Sequence, residues 1–182
     1  LMLAGFAVFI GIFTGEYLFK GYSIRNNAIS DLGQRIDPVN SSRSSSIIFN
    51  SAMIIAGTAI LLSGVLLHSK LDNSFVTIPL MLHGIGTAGV GIFPSTIKPT
   101  HFIFALTTFI TVEFASIATY WFVNDVMKYL LASLGVTSFI FLIGNFLFVK
   151  ALGVGGAERF IVYPTTLWRI IFGGYLRINK SV

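Results

Sequence analysis

The chain has 182 residues, 54% of them hydrophobic and only 10% charged, with a mean hydropathy of +0.84. Globular domains usually carry about 25% charged residues, so there is too little polar surface here to wrap a soluble core, and aqueous enzymes and nucleic-acid binders are excluded. The net charge of +5 comes from twelve Lys and Arg against seven Asp and Glu, spread over loops and helix ends, where positive residues fix topology and meet anionic lipid.

A bilayer core of about 30 Å needs roughly 20 apolar residues as helix, and six stretches answer to that in chain order. The first runs from Leu1 to about Phe19. It opens on apolar residues with no charged leader and no small-residue cleavage site, which reads as a span and not a secretion signal; the missing initiator Met points to absent N-terminal sequence. The others cover Ile47 to Leu67, Phe75 to Phe93, Phe102 to Val123, Tyr129 to Val149 and about Phe160 to Leu176. The last holds Pro164 and Arg169, which predicts tilt, a kink or partial re-entry. The expected fold is therefore all-α: one transmembrane domain over 1–182, an integral membrane bundle of six helices with one long structured loop between the first two.

That loop, Lys20 to Ser46, carries Arg25, Asn26, Asn27, Asp31, Arg35, Asp37 and Arg43, and long structured loops are often functional. Its serine-rich tail is read as capping the second helix at Ser46. Asn40-Ser41-Ser42 forms a glycosylation triplet, of consequence only on an outer face. With six spans, Lys20, Arg25, Arg35, Arg43, Lys98, Lys150 and Arg159 fall on one membrane face, and Lys70, Lys128, Arg177 and Lys180 on the other. The positive-inside rule puts the richer face in the cytoplasm and both termini outside, although four of its seven charges sit in the long loop, where they are also available for binding.

Glycines crowd the third span from Gly84 to Gly91. Their spacing imitates a dinucleotide-binding fingerprint, but that motif needs a strand and a helix start in a soluble βαβ unit. Inside an apolar span, Gly84 and Ala88, four residues apart, instead allow two helices to approach closely. Cysteine is absent, which removes disulfides, thiolate metal sites and thiol nucleophiles.

Ionisable groups within a membrane cost about 2.5 to 3.5 kcal/mol each at the centre, so each is a functional candidate. Counting along the spans puts His83, Glu113 and Arg169 at similar depths, roughly 15 to 18 Å from the long-loop face. A Glu113–Arg169 ion pair with His83 alongside would offset the burial cost, as a packing device or as a proton or ligand site. A second polar set gathers at the loop face itself: Glu16, Arg25, Asn27, Ser30, Asp31, Asn50, His101, Asn145, Glu158 and Arg159. Its two readings are anchorage of the loop and binding of an anionic headgroup or partner. His68, His83 and His101 fall at three depths across about 30 Å and cannot share one ion, which leaves only a two-histidine site with Glu16, Asp31 or Glu113 as a metal reading. No serine-histidine-acid spacing marks a hydrolase, and no cofactor is expected.

Three segments carry a resemblance: Asn27-Ala28-Ile29-Ser30-Asp31-Leu32-Gly33, His83 through Pro94, and Gly155-Gly156-Ala157-Glu158-Arg159 with Pro164 and Trp168. Through them the chain resembles, from its first span to its last, the archaeal and bacterial membrane family known as domain-of-unknown-function family 998. The asparagine-serine-aspartate-leucine-glycine loop is the most specific part. The resemblance implies a compact helical membrane protein of unassigned biochemical role and supplies no catalytic residue; usage of Ile, Ser, Asn and Phe suits an archaeal source. More distantly, the chain resembles membrane hydrolases of the alkaline ceramidase type, whose parts would fall to Ser30, Asp31, His83 and His101, although their three-histidine cluster has no counterpart here.

The expectation is thus a multi-pass protein of the cell membrane, anchored at its loop face by Glu16, His101, Glu158 and Arg159. Its expected role is non-catalytic, as an accessory subunit of a larger membrane complex or as a lipid-binding module, with membrane lipids and other membrane subunits as partners and no nucleic acid. The alternative is an intramembrane enzyme on lipid headgroups, using Asp31 and His101 with Arg25 and Arg159 on phosphate. A third is proton-coupled transport through His83, Glu113 and Arg169.

Overall fold

Long apolar runs in lipid must satisfy their own backbone groups, and a helix does so within one segment. The computed structural model, which describes residues 1–34, 42–71 and 73–179, accordingly holds six α-helices and no strand among those residues. They are α1 (Met2–Leu18), α2 (Ser42–His68), α3 (Ser74–Ile92), α4 (Lys98–Phe122), α5 (Met127–Ile143) and α6 (Asn145–Ile178), with a 3-10 turn at Ile29–Gly33 in the long loop. Arg35, Asp37, Lys180 and the first two residues of the glycosylation triplet, Asn40 and Ser41, lie outside the described residues.

Each helix packs on the next in chain order, and α6 closes the ring against α1. By length and composition α2 (from Arg43), α3 and α4 can each cross a membrane, while α5 and α6 qualify only as a pair bent by 97° and α1 is apolar but shorter. The all-helical bundle is the one the sequence leads one to expect. Three boundaries differ most. Helix α2 starts at Ser42, so Ser46 is no cap: its hydroxyl donates back to the Arg43 carbonyl at 3.0 Å, while Ser45 donates to Leu32 in the loop at 3.1 Å. Helix α5 ends at Ile143, not Val149, and α6 begins at once beyond Gly144, far ahead of Phe160. Phe141 holds this corner, its ring stacked on Phe148 and Phe160 with centroids 4.1 and 4.5 Å away.

Helix α6 is itself interrupted at Gly153, where φ is 77° and ψ 169°. That left-handed φ suits glycine, and the break brings the long loop against α6. The Gly155 N–H donates to the Arg25 carbonyl at 3.1 Å. A side chain at Gly155 would strike the carbonyl oxygens of Asn27 and Ile24.

The core between the helices is apolar, with Ile12, Leu32, Ile60, Leu80, Trp168 and Phe172 fully buried. Large exposed side chains such as Leu3, Ile55, Phe75, Phe102 and Trp121 cover the outside, the surface that lipid wets. The α2–α3 seam is built on small residues as expected: a Cβ on Gly84 would stand 2.5 Å from the Leu61 nitrogen and 2.8 Å from the Gly57 carbonyl.

Candidate functional site

At the loop face, Arg159 is the hub. Its guanidinium pairs with Glu16 on α1 and donates to the Tyr22 hydroxyl (3.1 Å), the Ile24 carbonyl (3.1 Å) and the Gly155 carbonyl (2.8 Å). Arginine suits this work because its planar fork serves several acceptors at once. Tyr22 lies under the guanidinium and donates to the Ala28 carbonyl at 2.9 Å; burial pushes its phenol up to about 12, against the opposing pull of Arg159. Glu158 accepts the Ile29 N–H at 2.6 Å, and Asn50 on α2 donates to the Gly33 carbonyl at 3.1 Å.

Within the loop, Asp31 is used up. Its oxygens accept from Ala28 N–H (3.0 Å), the Asn27 amide (3.3 Å) and the Gln34 amide (2.8 Å), which folds the 3-10 turn. Gln34 also reaches Ser95 at 2.6 Å, and Ser95 donates to the Ser30 carbonyl at 3.3 Å, tying the loop to the α3–α4 turn. Glu16, Glu158 and Arg159 therefore hold the loop, but His101 does not: it donates from Nδ1 to the Phe93 carbonyl at 2.8 Å and closes the α3–α4 turn instead. Arg25 has an exposed side chain, while Arg159 is turned inward to Glu16, so the two make no shared phosphate clamp.

The three midplane residues are all buried, at 1 to 3% exposure, but they do not form one cluster. His83 donates from Nδ1 to the Thr108 carbonyl at 2.9 Å, which leaves the Nε2 lone pair to accept from Arg169 Nη1. Arg169 also donates to Thr166 at 2.7 Å, and its Nε finds no acceptor. Glu113 takes a different partner, Ser138 on α5, at 2.7 Å. The expected Glu113–Arg169 ion pair is absent, because α4 turns Glu113 toward α5 while Arg169 faces α3. Arg169 is thus a buried cation with no carboxylate partner among the described residues.

Both arrangements open on space. A cavity of about 670 Å³ lies between α1, α2, α3, α4, α6 and the loop. On α4 its wall runs from Lys98 to Val112, about 21 Å of helix at ~1.5 Å per residue. One end, with Ser30, Ser95, Lys98, His101 and Glu158, is polar and lies at the loop face; the buried end holds His83, Thr87 and Arg169. Between them the wall is apolar, including Ile12, Phe49, Met53, Phe109 and Val162. Of the residues that matter here, Lys98 enters the sequence reading only as an orienting charge, and Ser138 and Tyr22 not at all; Ser138 shares its uncharged span with Ser133, Thr137 and Asn145, so nothing in the sequence singles it out.

Among the described residues no three His, Asp or Glu side chains converge as a metal site would require. His68 stands apart, 2.8 Å from the Thr77 hydroxyl.

Fold and cavity together define an all-helical membrane protein with a largely apolar cavity between its helices. The family model described as "Protein of unknown function (DUF998)" matches residues 2–175, and the chain belongs to that family. No curated protein and no solved structure matches it.

Proposed function

We propose that this is a multi-pass protein of the cell membrane that binds one membrane amphiphile, a chain-bearing lipid with an acidic head, in the cavity between α1–α4 and α6. The observation that carries this reading is Arg169, buried against an apolar cavity with no carboxylate among the described residues to neutralise it. An unpaired buried cation is costly, and an incoming carboxylate or phosphate oxygen supplies the missing charge while the apolar wall takes the chain. His83 orients the guanidinium and needs no proton to do so.

This reading favours the lipid-binding module over the accessory subunit. The headgroup-enzyme alternative gains no support from Asp31, whose oxygens already serve the loop's own N–H groups. Transport through a His83, Glu113 and Arg169 relay lacks the contact between Glu113 and the other two.

Thermal stability in a neutral detergent, with anionic and zwitterionic single-chain amphiphiles added, tests the proposal. Anionic amphiphiles should raise the melting temperature saturably, since a ligand of the native state stabilises it by mass action. Ala105→Trp, which fills the cavity, and Arg169→Gln should both remove that rise. A rise of the same size in both variants would overturn the assignment.

A further inference from the structure

On the far side of α4 from the cavity just described, a cleft of about 860 Å³ opens between the first turns of α3, the second half of α4 and α5. Val112 lines the first cavity and its neighbour Glu113 lines this one, so α4 is a partition, with Arg169 of α6 on one side and Glu113 on the other. The cleft is almost wholly apolar, and Glu113 is the ionisable residue in its wall. Phe75, Phe114, Trp121 and Phe139 present aromatic rings to it.

Glu113 is 1% exposed, and its Oε2 has no hydrogen-bond partner. Its other oxygen lies 2.7 Å from the Ser138 hydroxyl, which lies 2.6 Å from the Ile161 carbonyl as well. One hydroxyl hydrogen cannot serve both acceptors. The arrangement is satisfied when Ser138 donates to Ile161 and Glu113 carries a proton that it donates to Ser138. The cleft wall therefore holds a neutral carboxylic acid with one oxygen unused. Pro79, which has no N–H, also cannot donate to the Phe75 carbonyl one turn earlier.

We propose that this cleft binds a lipophilic organic cation, a quaternary or protonated amine on an apolar body, whose charge pairs with the Glu113 carboxylate as the carboxyl proton leaves to solvent. Charge balances, one cation arriving for one proton released. A bare metal cation is a poor occupant, because hard ions need several oxygen ligands and the wall offers one carboxylate. A bulky organic cation loses little hydration on entry and gains the faces of Trp121 and the phenylalanines. Among the described residues no other charged side chain lines the cleft; Arg169 on α6 and His83 on α3 are bonded to each other and line the first cavity.

The test uses tetraphenylphosphonium titrated into the detergent-purified protein, following heat, Trp fluorescence and released protons. Saturable binding with about one proton released per cation is expected, together with at least a tenfold weaker affinity and no proton release in Glu113→Gln. The uncharged isostere tetraphenylsilane, delivered in the same detergent, should bind at least tenfold more weakly. Unchanged binding in Glu113→Gln overturns the proposal, as does equal affinity for the cation and its uncharged isostere in the wild-type protein. That second comparison stands even where the variant fails to fold.

Discussion

The Arg159 hub concentrates more chemistry than any other side chain at the loop face. It joins α1, the loop and α6 through Glu16, Tyr22, Ile24 and Gly155, and both partners of the ion pair are largely buried, at 8% and 15% exposure. Removing one partner of a buried pair typically costs about 3–5 kcal/mol. Arg159→Ala should therefore lower thermal stability by several degrees and expose the loop to protease. Arg159→Lys should recover little, since an ammonium cannot span these acceptors. A melting temperature within a degree of wild type for Arg159→Ala would show that the loop is held otherwise. Tyr22 gives the same network a pH signature. Its phenol is raised from 10 to about 12 in the folded protein, so the neutral form is favoured. The stability it contributes is present below pH 10 and is lost as the pH rises through 12. Ultraviolet titration of phenolate should show late tyrosine ionisation, and Tyr22→Phe should shrink that late step.

At the scale of the helices, packing relies on close approach where side chains are smallest. The α2–α3 seam at Gly57, Gly84 and Ala88 leaves no room for a larger residue. Gly84→Leu should force the two helices apart and destabilise the bundle by about 1–3 kcal/mol, the usual cost of overpacking. A Val136→Leu change on the exposed face of α5 should be neutral within about 0.5 kcal/mol. Thermal melts in one detergent compare the two directly. This seam was legible in the sequence, because small residues four apart inside an apolar span have few other uses. Helix ends were less legible. The corner at Gly144 and the break at Gly153 both lie within a stretch whose apolar residues continue on either side, and what bends the chain there is tertiary: Phe141 stacking across the corner, and the loop backbone lying against Gly155.

For the whole molecule, composition alone led to an all-helical membrane bundle, since a chain with 10% charged residues and long apolar runs has few other stable forms. The midplane trio was only partly legible. Depth follows from counting residues, and all three side chains are buried, but the rotation of α4 that sends Glu113 to Ser138 and leaves Arg169 with His83 depends on packing that spacing does not encode. Nor does any spacing reveal that Val112 and Glu113 face two separate chambers. The resulting picture is a bundle in which an unneutralised arginine on one side of α4 and a lone carboxyl on the other each face an apolar chamber.

Native mass spectrometry of the protein drawn from its own membranes into mild detergent tests this account most directly. The account predicts one tightly held acidic lipid per chain, identified by its fragment mass, and its loss in Arg169→Gln and Ala105→Trp. A wild-type chain that flies free of lipid, or one whose lipid persists equally in both variants, would contradict it.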